Sequence, residues 1–274
     1  MPKFKPKKQN KVVLPGSFLL SKIQAKLSFL KWLDPFTYVD LFVMPRVKRI
    51  TDSGSVEFIV NVFFALLFAW IIYFLLGVIF QTTTPLVIVY SASMESTFFR
   101  GDVMALNKAN DFDNYGGLIV LDRNIGNVAV NDFATVNYDG RLLKSITFFD
   151  SSGQKEFFPS QVGSIVVYSA YPSGLPIIHR ALVKIVARDG NFVLTKGDNS
   201  VTNPTFDEDC GSISIGLERP QKNCITLYPI PVNSLQGKVF FGIPKVGCVK
   251  LWLIDDLASI IFTGNLPSDF KNFC

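Results

Sequence analysis

From Phe58 to Phe80 the chain reads FIVNVFFALLFAWIIYFLLGVIF, 23 residues with no charge and with Asn61 as the only strongly polar side chain. As a helix rising about 1.5 Å per residue, such a run crosses a hydrocarbon core about 30 Å thick. A buried helix of a soluble protein rarely stays free of charge for so long, so the run predicts a transmembrane helix over 58–80. It is too long for the apolar region of a cleavable signal peptide, about 7–15 residues, and lacks the small-residue end that such a segment carries. It reads as an uncleaved anchor.

Charge assigns the two sides of that anchor. Residues 1–57 hold 11 Lys and Arg against four Asp and Glu, whereas the remainder holds 16 against 18. Arg46, Lys48 and Arg49 lie within reach of the helix start, where the positive-inside rule counts them. The expected localisation is the cell membrane, single-pass, with residues 1–57 cytoplasmic and the rest external. Lys3, Lys5, Lys7, Lys8 and Lys11 form a basic tail suited to anionic lipid. In SFLLSKIQAKLSFLKWL, Leu19, Ile23, Leu27 and Leu30 recur at helical spacing with Lys22 and Lys26 between them. That amphipathic pattern suits either the membrane surface or a partner protein. Nucleic acid is not expected, because the folded part is slightly acidic.

Beyond Phe80 the pattern changes to period two and short apolar runs. Strands are expected at 85–90, 102–108, 117–122, 163–169, 181–190, 191–197 and 237–243, with turn signals such as YDGR and SSGQ among them. Many short strands without intervening helices imply an all-β domain over 81–245. The last segment, 246–274, begins with VGCVKLWLIDDLASIIF. Each of Lys250, Asp255 and Asp256 would cost about 2.5–3.5 kcal/mol at a bilayer centre. A second span is therefore disfavoured. An interfacial or docked helix, with Val249, Leu253 and Leu257 opposite the acids, fits better.

Four cysteines form no C-x-x-C pair, so no metal site is expected, and nothing in the sequence calls for a cofactor. Cys210 and Cys224 bracket a turn-rich stretch. A disulfide suits an external domain, and two free thiols fit the spacing as well.

Chemistry is suggested by SASMES, residues 91–96, just after the first strand. A serine hydroxyl is a weak nucleophile until a positioned base takes its proton. The chain has one histidine, His179, in PIIHRALV, and Asp198 follows in LTKGDNS. An outgoing and a returning strand would bring Asp198 beside His179 as the third member of a triad. Taken singly, these are a turn serine, a core histidine and an Asp-Asn turn; together they suggest a serine hydrolase.

The set SASMESTFFRGD, GSIVVYS, IIHRALV, LTKGDNS and GKVFFGIPKVG resembles, in order and arrangement, the type I signal peptidases. The likeness is to their archaeal and endoplasmic-reticulum branch, in which histidine replaces the lysine base of the bacterial branch. It covers about residues 55–250. It implies a signal-peptidase-like (LexA-like) β fold and a membrane-bound serine endopeptidase that removes signal peptides after small residues. Secretory preproteins are the implied substrates, with membrane lipid and the protein-translocation machinery as surroundings. Residue by residue, the resemblance makes Ser93 the nucleophile. Ser91 and the Ser93 amide form the oxyanion hole. His179 is the base, Asp198 its orienting acid, and Asp207 or Asp209 in PTFDEDC the second acidic residue, with Asp207 favoured. Ser96 departs from the proline usual there, and the stretch from Lys108 to Phe158 exceeds the family pattern.

The alternative is a catalytically inactive, membrane-anchored preprotein-binding module of the same fold. LexA-like self-cleaving repressors fit less well, because they use a lysine base and carry a DNA-binding domain. An ordinary histidine titrates near 6.5, and Asp198 would raise that value while burial would lower it. The acid limb of activity is expected around pH 6–7.

Overall fold

A 27-residue helix, Gly54–Phe80 (α1), carries the apolar run, and none of its side chains is buried. Its surface is apolar all round, as a segment solvated by lipid requires. The computed structural model describes residues 34–51, 53–159, 163–213, 221–257, 260–261 and 264. The basic tail and the amphipathic pattern before Trp32 lie outside them. Two units divide the chain, residues 1–75 and 76–274. In the first, a helical stretch runs through Pro35–Tyr38, Val39–Val43 and Met44–Ile50 ahead of α1. Asp34 caps it, its carboxylate accepting from Phe36 N at 3.0 Å.

The second unit is mainly antiparallel β. Its strands are β1 Leu86–Ile88, β2 Val103–Asn107, β3 Leu118–Val120, β4 Ala134–Asp139, β5 Leu142–Asp150, β6 Gly153–Phe157 and β7 Ile165–Ser169. They continue with β8 Pro176–Ala187, β9 Gly190–Lys196, β10 Gly211–Ile213, β11 Gln221–Asn223, β12 Ile230–Pro231 and β13 Gly237–Ile243. The main sheet runs β1-β2-β13-β7-β8-β9-β12, and β3 joins β8 in parallel. The long strand β8 is the spine, pairing with β7 over Pro176–Arg180 and with β9 over Arg180–Ala187.

All seven strands expected from alternation are present. The stretch from Lys108 to Phe158 adds the three-stranded sheet β4-β5-β6, whose hairpins turn at YDGR and SSGQ. Its Phe133, Ile146 and Phe148 pack with Ile185, Leu194 and Phe206 in one core, each buried. Fully burying side chains of this size contributes about 1.5–3 kcal/mol apiece. The insertion therefore stiffens the back of β8 and β9 and the segment leading to Asp207.

The C-terminal segment is helical over Cys248–Lys250 and Leu251–Asp256. Cys248 and Leu251 face the domain, while Val249, Trp252, Leu253 and Leu257 stay exposed. The expected apolar face of Val249, Leu253 and Leu257 is therefore not the docking face.

Candidate active site

Ser91, extended at φ −111° and ψ 163°, opens a single 3-10 turn, Ala92–Met94. The turn sets the two hydroxyls side by side, with Ser91 Oγ 3.1 Å from Ser93 Oγ. Met94 is 1% exposed and pins the turn into the core, while Ser91 remains exposed. β8, the strand that carries His179, packs against this turn.

The turn after β9 clamps the serine loop at three points. Asn199 N donates to Ser93 O at 3.0 Å, and Asn199 Nδ2 donates to Ala92 O at 2.9 Å. Thr97 Oγ1 donates to Asp198 Oδ2 at 2.6 Å. A Cβ on Gly197 would lie 2.5 Å from Ser93 O, which rules out any side chain there. The glycine of LTKGDNS thus permits a close backbone approach as well as a turn.

Asp198 makes its remaining bonds to Arg180. Arg180 Nε reaches Oδ1 at 2.8 Å and Arg180 Nη2 reaches Oδ2 at 2.7 Å, a bidentate pair with both side chains largely buried. The sequence reading set Asp198 beside His179 as a triad partner. Its hydrogen bonds instead run to Arg180 and Thr97, and it acts on the imidazole through charge. Alternation explains this. His179 and Arg180 are neighbours on β8 and point to opposite faces. Arg180 pairs in register with Lys196, two residues before Asp198.

His179 is 1% exposed. Its Nδ1 lies 3.3 Å from the hydroxyl of Tyr168, a residue that sequence reasoning passed over as strand core. Burial, together with the Lys196 charge, pushes the ring down to about 3, and the Asp198 charge opposes that shift. Desolvation thus outweighs the carboxylate and draws the ring below the ordinary value from which an acid limb around pH 6–7 is expected. Lys196 is itself lowered by burial, and its Nζ donates to the carbonyls of Gly197 and Asn203.

Asp207 Oδ2 accepts from Ile225 N at 3.1 Å and Thr226 N at 2.8 Å. Asp209 is exposed, and its carboxylate accepts from the adjacent Cys210 N. Of the two acids left open by the sequence, Asp207 is the one whose hydrogen bonds lead to His179, through Ile225 and Tyr168. Cys210 and Cys224 are bonded, which ties these two segments together. Asp102, quoted within the serine motif but given no role, accepts from Phe99 N and Lys245 N and fixes the far end of the loop. No group of side chains suited to a metal ion occurs among the described residues.

A long apolar helix followed by an antiparallel β domain, with a hydroxyl pair and one buried histidine on neighbouring elements, defines the class to compare. No family model matches the chain. Over 215 residues it is 24% identical to the signal peptidase complex catalytic subunit of Schizosaccharomyces pombe, covering 76% of this chain and 88% of that one. Over 182 residues it is 25% identical to the same subunit of Clavispora lusitaniae, covering 66% and 73%. For Saccharomyces cerevisiae strain YJM789 the identity is 24% over 199 residues, covering 72% and 83%. These similarities support the type I signal peptidase family, in its endoplasmic-reticulum branch, which is the family the motifs resemble.

Proposed function

We propose that this chain is a membrane-anchored serine endopeptidase that removes N-terminal signal peptides from secretory preproteins, cutting after small residues. The observation that carries the reading is the clamp. The SASMES turn, through Ala92 and Ser93, and Thr97 just after it are bonded to the Asp198–Asn199 turn, so nucleophile and base are held by one sheet. The relatives, named as catalytic subunits of the signal peptidase complex, supply the substrate class and suggest the translocation machinery as surroundings.

In this reading the preprotein adds as an extended strand at β1, an edge of the main sheet, with alternate side chains entering pockets. His179 Nε2 takes the Ser93 proton as Oγ attacks the scissile carbonyl. The Ser93 amide and the Ser91 hydroxyl receive the oxyanion, where charge develops only in the transition state. The imidazolium gives its proton to the leaving amine, which departs as the new N-terminus of the mature chain, and water, activated in turn by His179, hydrolyses the ester on Ser93 and releases the signal peptide. Asp198 holds the loop and favours the imidazolium by charge. The helix 58–80 is the anchor, residues 1–57 are the cytoplasmic part, and 81–245 form the catalytic domain across the membrane. The segment from 246 contributes an interfacial apolar face of Val249, Leu253 and Leu257, and the cell membrane is the proposed location.

Incubating the purified full chain in detergent with a preprotein and sequencing the products tests this. A new N-terminus after a small residue is expected. An intact preprotein, bound but uncut, would favour the inactive binding module instead.

A further inference from the structure

Tyr168, His179 and Thr195 are 0%, 1% and 2% exposed. His179 pairs in register with Val166, two residues from Tyr168, and Thr195 pairs with Ala181, two residues from His179. Strand alternation therefore sets all three on one face of the sheet. In so dry a place each polar hydrogen needs an acceptor.

The phenol has one proton and two lone pairs. Its hydroxyl lies 3.0 Å from the carbonyl of Ile225, which only accepts, so the proton goes there. Thr195 Oγ1 donates to the phenol oxygen at 2.9 Å. One lone pair remains, and it meets His179 Nδ1 at 3.3 Å. A hydrogen bond at that position needs the proton on Nδ1. A neutral imidazole in water prefers its proton on Nε2, the form whose Nε2 has no lone pair for a serine proton.

We propose that Tyr168 is the positioning residue that holds His179 in the Nδ1-protonated tautomer, with Asp207 supporting it through the backbone of Ile225 and Thr226. Asp207 N also donates to Thr226 Oγ1 at 2.8 Å, the Cys210–Cys224 bond closes the same junction, and Tyr138 OH accepts from Phe206 N at 2.7 Å. The carboxylate thus reaches the imidazole through a peptide unit and a phenol. When the Ser93 proton arrives on Nε2, Nδ1 keeps its own proton and still donates to Tyr168. Burial, reinforced by the Asp207 charge, raises the phenol pKa, so Tyr168 stays protonated throughout. The inference rests on the reading of His179 as the base.

Because His179 is the only histidine, ¹⁵N-histidine labelling of the full chain in detergent micelles gives one pair of ring nitrogens. At neutral pH the wild type should show Nδ1 protonated and Nε2 bare. Tyr168→Phe should move the proton towards Nε2 and lower kcat on the order of tenfold, part of the 10²–10⁴-fold that a positioned base typically supplies. KM should hold, and Thr195→Val should keep the wild-type tautomer. A wild-type ring protonated on Nε2 overturns the proposal, and that spectrum decides even where Tyr168→Phe does not fold. An unchanged tautomer and kcat in folded Tyr168→Phe also overturns it. A wild type with the expected tautomer that cuts no preprotein upholds the hydrogen-bond assignment and removes the peptidase reading alone.

Discussion

The proposed nucleophile and the proposed base occupy opposite kinds of surroundings. Ser91 and Ser93 sit on a short turn at the surface, held from outside by Asn199 and by Asp198 through Thr97. His179 sits inside a strand, sealed from water and supported by Tyr168. Each half has its own aspartate: Asp198 fixes the loop and Asp207 the strand side. A surface loop tolerates loss of one contact by shifting slightly, whereas a buried imidazole has no solvent to replace a lost partner. Substitutions should therefore separate into those that loosen geometry and those that disturb protonation.

The largest effects remove one reacting group from each half. Ser93→Ala and His179→Ala should each lower single-turnover preprotein cleavage on the order of 10⁴-fold or more, with the thermal midpoint of Ser93→Ala unchanged. Near-normal cleavage by His179→Ala would transfer the base to another group. Ser91→Ala comes next, at roughly 10²–10³-fold in kcat, the usual loss for one oxyanion donor. A smaller loss would make Ser91 a loop residue only.

Asp198→Asn sharpens the comparison further. It should lower kcat by roughly 10–100-fold and lower stability as well, because Arg180 loses its largely buried partner. Thermal melts and kinetics on one preparation check both. An unchanged melt with a large kinetic loss would mean that Asp198 acts on the imidazole directly. Smallest on the chemistry is Cys210→Ser with Cys224→Ser. The 14-residue separation corresponds to about 3 kcal/mol of stability in the loop-entropy treatment, with an expected change in cleavage rate of only about two- to fivefold. A rate loss as large as that of Ser91→Ala would show that the bond holds the Tyr168 support in register.

The seven strands and the anchor were legible because period-two alternation and a 23-residue apolar run are local properties of the chain. Ser91, Ser93 and His179 were singled out by motif resemblance and by the scarcity of histidine. The partner of Asp198 was not, because it depends on β8–β9 register and a bulge between Ala181 and Val183. Parity along β8 was the available signal, since it opposes Arg180 to His179. Tyr168 gave no sign of its role: an aromatic residue in VVYS is the ordinary content of a strand core, and only the fold brings Ile225 to its hydroxyl. The hairpins of β4–β6 announced their turns but not that their phenylalanines would pack behind β8.

The central claim, a buried neutral imidazole serving a half-buried serine on a surface turn, is tested most directly by its titration during the reaction. With a folded pKa lowered to about 3 against an ordinary 6.5, the unfolded chain binds the extra proton first. His179 therefore contributes stability that is present above about 6.5 and is lost as pH falls towards 3. The lowered Asp150, held at about 2 by Lys155, acts in the same direction, losing its contribution as pH falls from its ordinary value towards 2. Single-turnover cleavage should consequently be measured in short pH jumps that precede unfolding. The expected result is a rate at pH 5 within about twofold of that at pH 7, because the base is still unprotonated. A half-maximal rate at pH 6–7, the limb of an ordinary solvated histidine, would contradict the account.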